Sequence, residues 1–164
     1  MDSANGRVVR KQARRWRLFL TALVVSALHP PTPAEAADTL KLEDVMMKGK
    51  QVYDNTCVIC HQPTGLGLPG TFPPLVAGKP FDADVSVVEP LKKRGFYRDG
   101  KMALGEAKNQ IDVVLNGIPG TRMFGFGHVL SDEDVASVVT YIRNAWGNDS
   151  GEVITPEDVK QFRK

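Results

Sequence analysis

The stretch "YDNTCVICHQPTGLG", residues 53–67, carries both cysteines of a 164-residue chain, Cys57 and Cys60, with His61 directly after the second. Thiols at this spacing serve as a redox dithiol, as half of a zinc site, or as a covalent cofactor anchor. A four-cysteine zinc site is excluded, because the chain has 2 Cys. A site of two cysteines and two histidines would take His61 and His128 and accept Cys60 and His61 as adjacent ligands, far tighter than the usual zinc spacing. A thioredoxin-like dithiol needs a βαβ frame, and a helical pattern instead runs straight into Cys57. A structural disulfide would close a very short loop and remove little chain entropy.

The remaining reading, the C-x-x-C-H haem attachment motif, gives every residue a task. Two thiols on one helical turn reach both vinyl groups of a porphyrin as thioethers. The adjoining histidine then turns its imidazole to the iron. Five residues also occur together by chance, so the surrounding chain has to decide.

Upstream, Arg7, Arg10, Lys11, Arg14, Arg15 and Arg17 precede the uncharged apolar run "LFLTALVVSAL" (residues 18–28), and a proline-rich stretch ends in Ala34-Glu35-Ala36. This is the order of a secretory signal cleaved after about Ala36. The 11-residue run is too short for a membrane anchor, which needs about 20 apolar residues. Without the signal, 128 residues remain, with 15 basic and 17 acidic side chains. The basic isoelectric point therefore belongs to the signal and gives no reason to expect nucleic acid as a partner. Export places the site in the periplasm, where attachment of haem to such motifs takes place.

The mature chain is patterned for helices. In residues 40–55, Leu42, Val45, Met46, Gly49 and Tyr53 form one stripe at spacings of three and four. Glu106 to Asn116 is a second amphipathic segment, closed by Gly117. Ser131 followed by Asp132, Glu133 and Asp134 reads as a helix start. The apolar positions Val135, Val138, Val139, Ile142 and Trp146 carry that helix to a stop at Gly147. Only Asp84 to Val88 ("DVSVV") alternates like a strand, and Pro90 follows it closely. Residues 62–80 and 117–130 are rich in glycine and proline and are expected to be structured loops. Residues 148–164 read as a polar extension with one short helix at Thr155-Pro156-Glu157-Asp158.

From about residue 42 to residue 147 the chain resembles the class I cytochromes c. The run "GKQVYDNTCVICHQPTGLGLPGTFPPLVAGKP" (residues 49–80) looks like the opening of that family, and "VLNGIPGTRMFGFGHVLSDEDVASVVTYIRNAWGN" (residues 114–148) looks like its close. The resemblance implies an all-α fold, three to five helices around one covalently attached haem c with an edge near the surface. It implies a signal over residues 1–36, a haem domain over 37–147 and an extension over 148–164. Gly49, Tyr53, Val138 and Tyr141 would form the contact between the first and last helices.

By the same resemblance, Cys57 and Cys60 are the thioether anchors and His61 the proximal iron ligand. The Pro73 carbonyl would accept a hydrogen bond from that imidazole, and Leu75 would line the haem wall. The sixth ligand would be Met123, in the loop "IPGTRMFGFG" ahead of the last helix. Met102, after the turn Asp99-Gly100-Lys101, and His128 are its competitors, while Met46 and Met47 lie on the first helix as filler. Tyr97 and Trp146 are assigned to the core. One departure stands out: Phe124 occupies the position after the ligand methionine where the family often has proline, which would stiffen the loop.

The function implied is periplasmic electron transfer by an iron cycling between Fe(III) and Fe(II), with no chemistry on a substrate. The partners would be redox proteins: a dehydrogenase, or a terminal oxidase or reductase. The missing proline leaves a second function open, a five-coordinate haem protein such as a peroxidase-like enzyme or gas sensor. Lys92, Lys93, Arg94, Arg98 and Lys101 form a basic cluster that reads equally as a steering patch for an acidic partner and as a solvated face.

Overall fold

A computed structural model describes residues 33–163, with side chains described from residue 41. The basic head and apolar run of the expected signal lie outside the described residues. The described chain contains six helices and one small hairpin: α1 (Pro33–Thr56), α2 (Val58–His61), α3 (Val85–Lys93), β1 (Tyr97–Arg98), β2 (Lys101–Met102), α4 (Ala107–Asn116), α5 (Asp132–Asn144) and α6 (Pro156–Lys160). The fold is all-α in character, and the hairpin is a two-residue pairing around the Asp99-Gly100 turn, whose φ values are 51° and 77°. Both turn residues are left-handed, as the twist of a tight hairpin requires.

α5 is the central element, with every residue from Val135 to Arg143 buried. Its start is as the sequence implies. The Ser131 hydroxyl accepts from the Asp134 amide at 3.1 Å, and the Asp134 carboxylate accepts from the Ser131 amide at 3.1 Å, a reciprocal cap. Its end differs. The helix stops at Asn144, and Trp146, expected on the helical stripe, sits beyond it in the left-handed region at φ 57°. That turn carries the indole back to donate from Nε1 to the Pro63 carbonyl at 3.0 Å.

α1 crosses α5 at Gly49. A Cβ there would lie 2.7 Å from the Ser137 carbonyl carbon and 2.7 Å from Tyr141 Cβ, closer than atoms approach. Beside the crossing, Tyr53, Tyr141 and Trp146 interlock, with ring centroids 5.0–5.5 Å apart and tilted or edge-on geometry. Such pairs add about 0.5–1.5 kcal/mol each beyond their buried area. Tyr53 also donates to the Gln62 carbonyl at 2.7 Å, tying α1 to the loop after the cysteines.

The segment Val85 to Lys93 is helical, against the alternation that set Asp84 to Val88 apart. Val87, Val88 and Leu91 turn inward together, which is a helical spacing. Pro90 removes one amide from that helix. The carbonyl it leaves without a partner is that of exposed Ser86, where water can serve it.

Residues 148–163 pack as part of the same body. Ile154 and Val159 are buried in the main apolar cluster. Buried Asn148 donates to the Leu75 and Ile142 carbonyls at 2.8 Å and accepts from the Ala77 amide at 2.9 Å. The composition looks polar, but the few apolar residues are the ones that face inward. α6 has its own reciprocal cap, Thr155 with Asp158.

Hydrogen bonds from Ser131 and Thr155 hold Asp134 and Asp158 below the usual carboxylate range. A carboxylate with a folded pKa below its unfolded one contributes stability above the unfolded value, about 4, and loses it as pH falls through the folded value. The double variant Asp134→Asn and Asp158→Asn keeps the acceptors but not the titration. Between pH 5 and 2 its thermal midpoint is expected to fall a few degrees less than that of the wild type. Parallel curves would show that the caps do not feed acid unfolding.

Candidate functional site

α1 ends at Thr56 and α2 resumes at Val58, so Cys57 sits at the junction with its amide bonded to the Tyr53 carbonyl at 2.8 Å. The Cys60 and His61 amides both return to the Cys57 carbonyl, at 3.2 and 3.0 Å. Both thiols and the imidazole therefore lie on one turn. No disulfide joins the two cysteines. Burial, with Cys60 alongside, pushes the Cys57 thiol up to about 12, the opposite of the lowered value a redox dithiol uses.

His61 is buried, and its Nδ1 lies 3.1 Å from the Pro73 carbonyl. A carbonyl only accepts, so Nδ1 carries the proton and Nε2 keeps its lone pair for a ligand bond. Burial holds the imidazole below its ordinary value, toward the neutral form. Gly67 makes this geometry possible: at φ 63° a Cβ would stand 2.8 Å from the Pro73 oxygen, the same atom that orients the ring. The Gly67 amide in turn bonds the His61 carbonyl at 3.0 Å.

These residues border a cavity of about 530 Å³. Cys57, Cys60, His61, Pro73, Leu75 and Met123 all line it. So does Met102, buried in the smaller apolar cluster with Phe81, Leu91, Phe96 and Ile118. His128 is exposed and not on the wall. Met46 packs on the main cluster, while Met47 is exposed. Tyr97 donates to the Phe81 carbonyl at 3.0 Å and Trp146 to that of Pro63; neither reaches the cavity. None of the basic cluster, Lys92 to Lys101, borders it either.

Sequence reasoning did not single out much of the wall. Val114 and Ile142 lay on expected helix faces, so their inward position was signalled although the cavity was not. Leu91 and Phe96 follow the strand-like stretch Asp84 to Val88 and were assigned to no element, and nothing local marks them. The wall takes residues from both apolar clusters, so whatever fills the cavity joins two half-cores.

The residues fit a haem. The wall is mostly apolar, as a porphyrin face requires. Two thiols stand at its edge, and the histidine offers a free Nε2. A methionine thioether lines the same space. Among the described residues there is no group of three or more His, Cys, Asp or Glu side chains that could hold a metal ion.

Residues 46–146 match the family model described as cytochrome c. Cytochrome c-552 of Thermus thermophilus is 34% identical over 125 residues, covering 70% of this chain and 83% of that protein. The cytochrome c subunit of the quinone alcohol dehydrogenase of Gluconobacter oxydans is 33% identical over 116 residues, 70% of this chain but 22% of the subunit. The gluconate 2-dehydrogenase cytochrome c subunit of Pantoea cypripedii is 30% identical over 139 residues, 79% of this chain and 27% of the subunit. The chain thus spans about a quarter of the length of the dehydrogenase subunits it matches.

Proposed function

We infer the role of this chain from its kinship: it belongs to the cytochrome c family and transfers electrons through one haem, catalysing no reaction of its own. We propose that Cys57 and Cys60 hold the haem as thioethers, with His61 and Met123 as its two axial ligands. The observation that carries this reading is their convergence on one cavity, with the His61 ring already oriented by the Pro73 carbonyl.

When bound, haem c supplies an iron that takes up and releases one electron between Fe(III) and Fe(II). The protein's part is to keep everything around it still. Pro73 fixes the imidazole tautomer and strengthens its donor nitrogen. Leu75 and the apolar wall exclude water. The thioether of Met123, soft and uncharged, favours the reduced state relative to a second imidazole. Ligands that stay in place in both oxidation states keep reorganisation small.

Met102 is the competitor on the wall, but its place in the fold supports a packing role. Its amide donates to the Lys79 carbonyl and its own carbonyl accepts from Gly78, both at 2.8 Å, and its side chain is buried in the smaller cluster. The export signal supports a periplasmic location. Among the described residues no helix is long and apolar enough to cross a membrane. The relatives named as dehydrogenase subunits support a dehydrogenase as a redox partner.

The test is the weak long-wavelength charge-transfer band that reports methionine bound to ferric haem. Met123→Ala is expected to abolish it and to let the ferrous protein bind CO at once, whereas Met102→Ala keeps it. A band lost in Met102→Ala and kept in Met123→Ala would reverse the assignment. A wild type without the band, binding CO freely, would make the five-coordinate reading correct.

A further inference from the structure

The loop between α4 and α5, residues 117–130, lacks the proline that would stiffen it after Met123. Its first half is tied within itself. The Ile118 amide bonds the Met123 carbonyl at 2.9 Å, and the Met123 amide bonds Thr121 Oγ1 at 3.2 Å. The Phe126 and Gly127 amides then reach the Val114 and Leu115 carbonyls at 2.8 and 3.0 Å.

The second half, tied to α4 by those two bonds, is also fastened from elsewhere in the chain. Arg163, just beyond α6, spreads its guanidinium over three acceptors: Nε to Asp132 Oδ1 at 2.5 Å, Nη1 to the Gly127 carbonyl, and Nη2 to the Leu130 carbonyl at 3.0 Å. Gly127 is thus gripped on both sides, its amide by α4 and its carbonyl by Arg163. Arg163 is itself anchored. Val159, four residues earlier, is fully buried, and Phe162 packs on the same cluster. At the other end of the segment, buried Arg143 grips Glu152 through Nε at 2.7 Å.

We propose that residues 148–163 form a brace for the Met123 loop and that Arg163 is its positioning residue. It holds the far side of the loop where a proline is missing. The proposal rests on the reading of Met123 as an axial ligand. A guanidinium suits the task because its planar fork meets two backbone carbonyls and a carboxylate at once, and a lysine ammonium would not. An isolated surface ion pair would contribute little. Here the charge is shared with two carbonyls that would otherwise be free to swing out with the loop.

The experiment is displacement of the native sixth ligand by added imidazole in the ferric full-length holoprotein. Its rate at saturating imidazole reads how often the loop opens. Arg163→Ala is expected to raise that rate about tenfold, the effect of losing charge-assisted bonds of this kind. Arg163→Lys should fall between the two, and the methionine band should persist in both variants. Amide hydrogen exchange should quicken at residues 127–130 and stay unchanged in α4.

A rate in Arg163→Ala within twofold of wild type, with the band present, overturns the brace and leaves the ligand assignment standing. A wild type with no methionine band overturns the ligand assignment itself. Should Arg163→Ala fail to fold, Arg163→Lys decides, and a rate equal to wild type counts against the proposal.

Discussion

Changing both Cys57 and Cys60 to serine is expected to give a chain that neither keeps haem through denaturation nor folds without it. Serine offers no thioether, so the haem would be held by its axial ligands alone and would separate on a denaturing gel. The larger effect is on the fold. The cavity measures about 530 Å³ and its wall belongs to both apolar clusters. At ~24 cal/mol per Å³, a hollow of that size costs on the order of 10 kcal/mol when nothing apolar fills it. Water entering from the open side lowers the figure. Even half of it approaches the whole stability of an ordinary domain, about 5–15 kcal/mol. Haem staining of the gel should therefore disappear, and once the unanchored haem is extracted the far-ultraviolet helical signal should drop and its thermal melt should lose cooperativity. A double variant that stays helical and melts cooperatively without haem would mean that the two clusters suffice as a core.

Gly49→Ala is expected to lower the thermal midpoint by about 5 °C, although alanine is the better helix former by ~1 kcal/mol. The two effects oppose each other, and geometry settles the sign. The new Cβ would meet the Ser137 carbonyl and Tyr141 Cβ, and the first of these is backbone in the middle of the most buried helix. It cannot move as a side-chain tip would. Overpacking of this sort costs about 1–3 kcal/mol or more, and it also pries apart the Tyr53–Tyr141–Trp146 group beside the crossing. Differential scanning calorimetry of the holoprotein reads the difference. A midpoint at or above wild type would show that α1 and α5 do not touch at Gly49.

The parts of this fold that could be read from the chain alone are those in which local and global preferences agree. The Ser131 cap, the stripe of α1 and the faces of α4 and α5 follow the helical period because their apolar residues all face one core. The C-x-x-C-H turn needed no tertiary information. α3 stayed hidden because Val85 and Val87 mimic a strand's alternation and Pro90 looks like a terminator; only packing of Val88 and Leu91 makes it a helix. The two-residue strands are too short to carry a period. The segment after Gly147 misled by composition. Ile154 and Val159 are sparse among charges, and Arg143, Asn148 and Arg163 look like surface residues until their partners, distant in sequence, are known. Of the site, Cys57, Cys60, His61 and both candidate methionines were marked in the chain, and all of them line the cavity. The chain could not show that Met102 is buried in the smaller core while Met123 packs against it only partly buried.

The crossing at Gly49 also constrains the order of assembly. α1 and α5 lie toward opposite ends of the described chain, and their close contact cannot form until α5 is available. Contacts of such long sequence separation must overcome a large loop-closure entropy before they form. Until they do, the turn with Cys57, Cys60 and His61 lies on a chain still open on the α5 side. In a chain exported from its amino end, as we propose, the thiols would emerge before α5 arrives to close over them. The interval between those two events is when a group as large as a porphyrin can enter without forcing a finished core apart.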